Sequence, residues 1–399
     1  MSHNVLFYTE CKVCSTKGGT ERATISTASI LKEFYHYKCY SIYSIDLKTP
    51  LENCFEKDFL VDYKKNPKKI ADIIQKYEID VVINQSEYRL FEFAKDYLPK
   101  EKTKYIFAHH FAPGWEEEVL TFQGLLKQFS NATGSQKVKD SVKLLSYPLY
   151  RARNSRKHKL AYRNTYEFSD KTVLLTNGFI KEYMKYADIK DDSKFAVIPN
   201  TLSFSTMPDP GCFNRKEKRV LIVTRMQDRQ KRIVLALKIW GLIKKRKESY
   251  GWSLDIVGTG EDFDKCTNYS KKNNIPDVTF YGNQVPNSFY KRSSIFMMTS
   301  RSEGWGLTLT ESQQFLVVPV VFDTVSVFND IIQDEYNGYL VKEGNIDKYV
   351  DRVCTLMSND SKRKEMAQNG YISCQRFSRE NVGAMWKKLI DEVSGDTDD

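Results

Sequence analysis

Short runs rich in Val, Ile, Tyr and Phe alternate along this chain with longer segments whose apolar residues recur at helical spacing. Apolar runs of strand length separated by helices form the pattern of βα units on parallel sheets. In the first half, the runs that predict strands are 5–9, 40–45, 80–84, 104–108, 172–175 and 195–198. The alternation pauses between 202 and 219, where Pro208, Pro210 and Gly211 lie in a polar stretch suited to joining two domains. It resumes with runs 219–223, 253–257, 278–281, 295–299 and 319–322, separated by helical segments such as 232–247 and 262–272. Beyond Asn345 only helices are predicted, at 346–357, 362–376 and 378–393. The pattern therefore predicts an α/β protein of two open parallel sheets, with domains at 1–205 and 206–377. A last helical segment, 378–399, is expected to pack back on the first domain. In such sheets ligands bind at the carboxyl ends of strands, where loops meet helix amino termini.

A length of 399 residues and 41% hydrophobic content suit two separate cores. The longest apolar run, 315–322, is eight residues and contains Pro319, far short of the ~20 a spanning helix needs. The amino end lacks a basic segment followed by an apolar stretch, so a cytoplasmic location is expected. Of eight cysteines only Cys11 and Cys14 form a CxxC, and no second ligand pair for zinc follows. A formal net charge of +10 favours anionic partners: nucleotides, phosphorylated substrates or acidic membrane surfaces.

The residues able to carry chemistry lie just after predicted strands. Run 295–299 is followed by the segment Ser300-Arg301-Ser302-Glu303-Gly304-Trp305-Gly306-Leu307-Thr308-Leu309-Thr310-Glu311. Gly304 and Gly306 let the backbone approach a ligand, and free N–H groups near Leu307 and Thr308 would meet phosphate or sugar oxygens. Glu303 in the loop and Glu311 about one turn into the helix would accept hydrogen bonds from hydroxyls on different parts of one extended ligand. An ordinary helix start with a solvated carboxylate fits the same segment.

Arg225 follows run 219–223, and Lys231 stands six residues later at the head of a helix. Two such cations could neutralise a leaving diphosphate without a metal, although Arg229 and Arg232 beside them also suit a solvated helix start. Gly18 and Gly19, after run 5–9, suit an anion-accepting loop or a flexible turn. Gly258 and Gly260 suit a nucleotide-contacting loop or a tight turn, Phe263 standing where a dinucleotide fingerprint needs its third glycine. His109 and His110 end run 104–108, a position open to a ligand role or a structural one. Between Lys137 and Arg163 nine basic residues face one acid, Asp140, with Leu144, Leu145, Tyr147, Leu149 and Tyr150 interleaved. That mixture suits an anionic membrane surface, a phosphorylated acceptor or a solvated helix face. Asp396 and Asp398 form a DxD in the charged tail, where no metal role is expected.

Taken together, these motifs resemble the retaining glycosyltransferases of family 4, the group-1 glycosyltransferases of the GT-B fold, most strongly from about 220 to 344. The resemblance implies two Rossmann-like domains facing across a deep cleft, an acceptor-binding first domain and a nucleotide-sugar-binding second one. Glu303 and Glu311 look like the family's E-x7-E pair: Glu311 would hold the ribose hydroxyls and Glu303 would contact the sugar ring. Arg225 and Lys231 look like its diphosphate-binding pair. Gly18 and Gly19 are similar to its amino-terminal glycine loop, and His109, or equally His110, to its cleft histidine. Gly258, Gly260, Gly304, Trp305, Gly306 and Leu307 would line the donor site. The sequence departs from the family at Arg232, since a glycine usually follows the lysine.

The resemblance implies retaining transfer of a sugar from a UDP- or GDP-linked donor to a glycan or lipid-linked acceptor, with neither cofactor nor metal. The setting it implies is assembly of surface polysaccharide or lipopolysaccharide, with peripheral membrane contact through 137–163 and no nucleic acid partner. Two other readings stay open: a nucleotide-sugar epimerase, which would act without an acceptor, and a non-catalytic basic protein that binds membranes or nucleic acid.

Overall fold

A computed structural model describes residues 2–14 and 18–395; the Asp396 and Asp398 motif lies outside the described residues. The chain divides into two compact units, one of residues 1–198 with 383–399, the other of residues 199–382.

The sheet of the first unit has seven parallel strands: β1 (Asn4–Cys11), β2 (Lys38–Ile45), β3 (Lys57–Leu60), β4 (Val81–Gln85), β5 (Lys104–Ala108), β6 (Lys171–Leu174) and β7 (Phe195–Val197). Their order is β3-β2-β1-β4-β5-β6-β7. Central strands read as unbroken apolar runs because helices cover both faces of such a sheet. In β1, Val5, Leu6, Phe7 and Tyr8 are all buried, and in β4 every residue is. On one side Leu6, Tyr8, Ile42 and Val82 pack with Ile70, Ile73 and Ile74 of the helix Pro67–Lys76.

The second unit has a six-stranded parallel sheet of β8 (Arg219–Val223), β9 (Ser253–Val257), β10 (Val278–Gly282), β11 (Ile295–Met298), β12 (Val318–Asp323) and β13 (Tyr339–Lys342). Its order is β10-β9-β8-β11-β12-β13. The helix Ile233–Ile243 buries Ala236, Leu237, Trp240 and Ile243 against Val220, Leu254 and Ile256, so this core is continuous with the sheet.

Two strands escaped the sequence pattern. Lys57–Leu60 is a four-residue edge strand, partly exposed, with no apolar run to mark it. Tyr339–Lys342 closes the other sheet's edge beside β12 and follows a turn rather than a long helix. Short edge strands carry the weakest burial signal, since one side has no neighbour.

Residues 383–394 of the last helix, Arg379–Ser394, belong to the first unit. Asp391 accepts from Tyr37 Oη at 3.1 Å, and Lys171 pairs with Glu392 at 2.8 Å. A Cβ on Gly383 would come within 2.4 Å of Ile30 Cγ2, so the helix needs glycine there to lie against the first unit's helix Gly19–Tyr35. Among the described residues no helix is long and apolar enough to cross a membrane.

Candidate active site

Both sheets reverse strand order beside their first strand, between β1 and β4 and between β8 and β11. Loops leaving the carboxyl ends of strands diverge at such a point and leave a crevice, the usual ligand position in doubly wound sheets. In the second unit the two loops concerned are those after β8, carrying Arg225 and Lys231, and after β11, carrying Glu303 to Gly306.

These loops are stitched together. Lys231 Nζ lies 2.6 Å from Glu303 Oε1, both side chains largely buried. The N–H of Arg301 donates to the Gln230 carbonyl at 2.7 Å, Gln230 Nε2 to the Ser302 carbonyl at 3.0 Å, and Thr299 Oγ1 to the Lys231 carbonyl at 3.0 Å. Arg232 completes the seam. Its Nε donates to the Thr299 carbonyl at 2.7 Å, one Nη to the Ser300 carbonyl at 3.1 Å, and the other pairs with Glu343 at 2.8 Å.

Arg232 also has φ +52°, in the left-handed region. That conformation explains why a glycine would suit the position and why an arginine needs support there, for the left-handed form costs an ordinary residue about 1–2 kcal/mol. Three hydrogen-bonded groups on one planar guanidinium offset that cost. Sequence reasoning marked Arg232 as a departure; its grip on the neighbouring loop is visible only in three dimensions.

Arg225 is exposed, and its guanidinium donates to Gln227 Oε1 at 3.1 Å. Gly258 and Gly260, expected to line a nucleotide, sit against backbone instead. A Cβ on Gly258 would fall 1.8 Å from the Thr224 carbonyl oxygen and one on Gly260 2.5 Å from that of Met226. Their lack of side chains lets the loop after β9 lie directly on the loop after β8, with Met226 N–H donating to the Thr259 carbonyl at 2.9 Å.

Gly306 caps the helix Leu307–Gln314 at φ +88°, and no side chain caps its amino end. The first-turn N–H groups of that helix, beginning with half-buried Leu307, therefore keep their capacity for an acceptor. Gly304 is half-buried, whereas Trp305 is buried edge-on against Phe377 at 5.0 Å.

The structure departs from expectation at Glu311. The side chain is only 1% exposed, and its Oε2 accepts from Tyr290 Oη at 2.8 Å, so it faces the interior of the unit. Tyr290 lies on the helix Asn287–Arg292, twenty-one residues away, and nothing in the sequence ties the two together. Buried Lys216 braces the same assembly: its amine donates to the carbonyls of Tyr290 and Phe315, each at 2.6 Å. Burial lowers its pKa to about 7, far below an ordinary lysine.

In the first unit, Gly18 and Gly19 are exposed at the start of the helix Gly19–Tyr35, next to residues 15–17, which lie outside the described residues. His109, chosen as the ligand-facing histidine, is 1% exposed. Tyr88 Oη lies 2.9 Å from its Nδ1, and Phe107, Phe111, Tyr162 and Tyr183 surround the ring. Burial, with the neighbouring His110 adding to it, holds its pKa down at about 3, so the ring is neutral at ordinary pH. This enclosure leaves His109 no open face. His110 is half-buried and bonds Gln85 through Nε2, while its backbone N–H donates to Ser86 Oγ at 3.0 Å.

Glu116, which the sequence gave no reason to single out, adjoins this cage. Tyr162 Oη donates to its Oε2 at 3.0 Å, and burial raises its pKa to about 7.

Comparison with known proteins agrees with this geometry. Residues 206–373 match the family model described as glycosyl transferases group 1. An uncharacterised glycosyltransferase of Haemophilus influenzae is 23% identical over 385 residues, covering 94% of this chain and 96% of that protein. A lipopolysaccharide 1,6-galactosyltransferase of Salmonella typhimurium is 28% identical over 202 residues, which span 49% of this chain and about half, 54%, of the relative. Among solved structures, Anabaena HepE in complex with UDP superposes with a TM-score of 0.73 at 13% identity, over 98% of this chain and 100% of that one. The two parallel sheets thus form a GT-B type α/β fold.

Proposed function

Because residues 206–373 belong to the group 1 glycosyl transferases, we propose that this glycosyltransferase moves a sugar, with retention and without a metal, from a UDP- or GDP-linked donor to a glycan or lipid-linked acceptor. The observation that carries the reading is the Lys231–Glu303 pair, which fixes a cation and a carboxylate side by side at the β8/β11 switch point. Lys231 and exposed Arg225 stabilise the departing diphosphate, the charge that grows as the bond from the sugar's anomeric carbon to phosphate oxygen breaks. The acceptor oxygen bonds to that carbon on the same face, and its proton passes to a phosphate oxygen. Glu303 orients the sugar ring. The amino end of the helix Leu307–Gln314 meets phosphate oxygens. Glu311 serves the ribose once Tyr290 yields its hydrogen bond, since in the present arrangement its acceptor oxygen is turned inward.

Lipopolysaccharide and surface polysaccharide assembly is the setting proposed, supported by the name of the Salmonella relative; a uridine donor is supported by the UDP in the HepE structure.

The test is a thermal-shift titration with UDP, GDP, CMP, ADP and NAD, with magnesium and with EDTA. At 100 times its dissociation constant the right nucleotide adds about 2.7 kcal/mol of stability. One nucleoside diphosphate is expected to raise the melting temperature equally in both conditions, and Lys231→Ala is expected to abolish the response. A response that needs magnesium, or none with any nucleotide, overturns the reading.

A further inference from the structure

The helix Gly134–Leu145 is turned inside out for a helix on a protein in water. Its acid, Asp140, is 2% exposed and faces the protein, paired with Lys143 at 2.6 Å. Val138, Val142 and Leu145, spaced four and three apart and hence on one face, point outward at 65%, 60% and 88% exposure. Leu149, at the start of the next helix, Tyr147–Phe168, is 76% exposed. On that helix Leu149, Arg153, Arg156 and Leu160 follow one another at intervals of four, three and four and share an exposed face, while Tyr162, on the opposite side, is fully buried. Folding therefore produces a contiguous surface of aliphatic side chains interleaved with guanidinium groups, within a stretch of nine basic residues and one acid.

Aliphatic side chains displayed to solvent in helical register need a cover, and cations among them select its charge. A solvated basic face would not carry four outward aliphatics, and a phosphorylated small acceptor would not use them. We infer that the surface formed by 138–160 docks the first unit on an anionic lipid bilayer, the aliphatic side chains entering the headgroup boundary and Arg153 and Arg156 pairing with lipid phosphates. The mode is interfacial, since no described helix can span a bilayer. It does not rest on sugar transfer: vesicle binding is read without donor or acceptor, so failure of the nucleotide titration leaves it standing, and the reverse.

The experiment is flotation of the full chain with vesicles of phosphatidylcholine alone and of phosphatidylcholine with phosphatidylglycerol, in low and high salt. Wild type is expected to float with the anionic vesicles only, and much less in high salt. Each cation lost is worth about fivefold in partition, the ratio that corresponds to ~1 kcal/mol per basic residue near the surface, so Arg153→Glu with Arg156→Glu is expected to lower binding by more than about 25-fold. Leu145→Ser with Leu149→Ser, both outward and exposed, is expected to keep the melting temperature yet lose binding. Absence of partition into either vesicle overturns the inference. So does equal binding of wild type and both variants, or self-association in sedimentation that the Leu145 and Leu149 variant abolishes, which would make the face an interface between copies.

Discussion

Arg232 shows how much one residue can do when its backbone and side chain are both constrained. The left-handed backbone turns the chain from the segment Asp228–Lys231 into the helix Ile233–Ile243, and the guanidinium ties that turn to the loop after β11. The two effects separate by substitution. Arg232→Ala keeps the backbone cost and loses the hydrogen bonds, whereas Arg232→Gly loses the bonds and removes the cost. Denaturant titration is expected to find both variants less stable than wild type, with the glycine variant about 1 kcal/mol more stable than the alanine variant. An alanine variant equal to wild type would mean that the seam contributes nothing. Sequence reasoning reached Lys231, Glu303 and Arg225 because cations and carboxylates after strands are visible in one dimension. It could not see that Glu311 points inward or that His109 is caged, since both depend on Tyr290, Tyr88 and Tyr162, residues remote in the chain.

Glycines at the level of loops and helix starts divide into two kinds, which the sequence treats alike. Gly258 is required by contact: a methyl group there would overlap the Thr224 carbonyl oxygen at 1.8 Å. Gly306 is required by conformation, for a Cβ would meet nothing nearer than 3.5 Å, but φ is +88°. Gly306→Ala is accordingly expected to cost about 1–2 kcal/mol, and Gly258→Ala to cost more than about 3 kcal/mol by forcing the loops after β8 and β9 apart. Urea midpoints of the two variants decide it; equal losses would contradict the distinction. Strands in the middle of each sheet were legible because burial on both faces imposes unbroken apolar runs. β3 and β13 were not, because an edge needs less apolar surface.

Across the whole molecule, acid sensitivity should reflect the aromatic cage of the first unit. The folded pKa of His109, about 3, lies below its ordinary 6.5, so the unfolded chain takes up the proton first. Stability from this group is complete above pH 6.5 and falls by up to about 1.4 kcal/mol per unit as pH drops toward 3. Glu116 works in the opposite sense: its folded pKa, about 7, exceeds its ordinary 4.5, so its contribution is present below pH 4.5 and is lost as pH rises through 7. Comparing wild type with His109→Gln isolates the first effect. The variant's stability is expected to decline less steeply between pH 6.5 and 4 in urea titrations; parallel curves would refute the assignment. The sequence by itself determined the α/β class, the central strands and the post-strand positions of Arg225, Lys231 and Glu303, because strand periodicity, turn residues and charge are properties of neighbours along the chain. Tertiary structure alone decided that Lys231 pairs with Glu303, that Glu311 and His109 turn inward, and that Val138, Val142 and Leu145 turn outward. Each of these outcomes is set by which remote residues pack against a side chain, and packing partners are chosen by the folded sheet and its helices rather than by distance along the sequence.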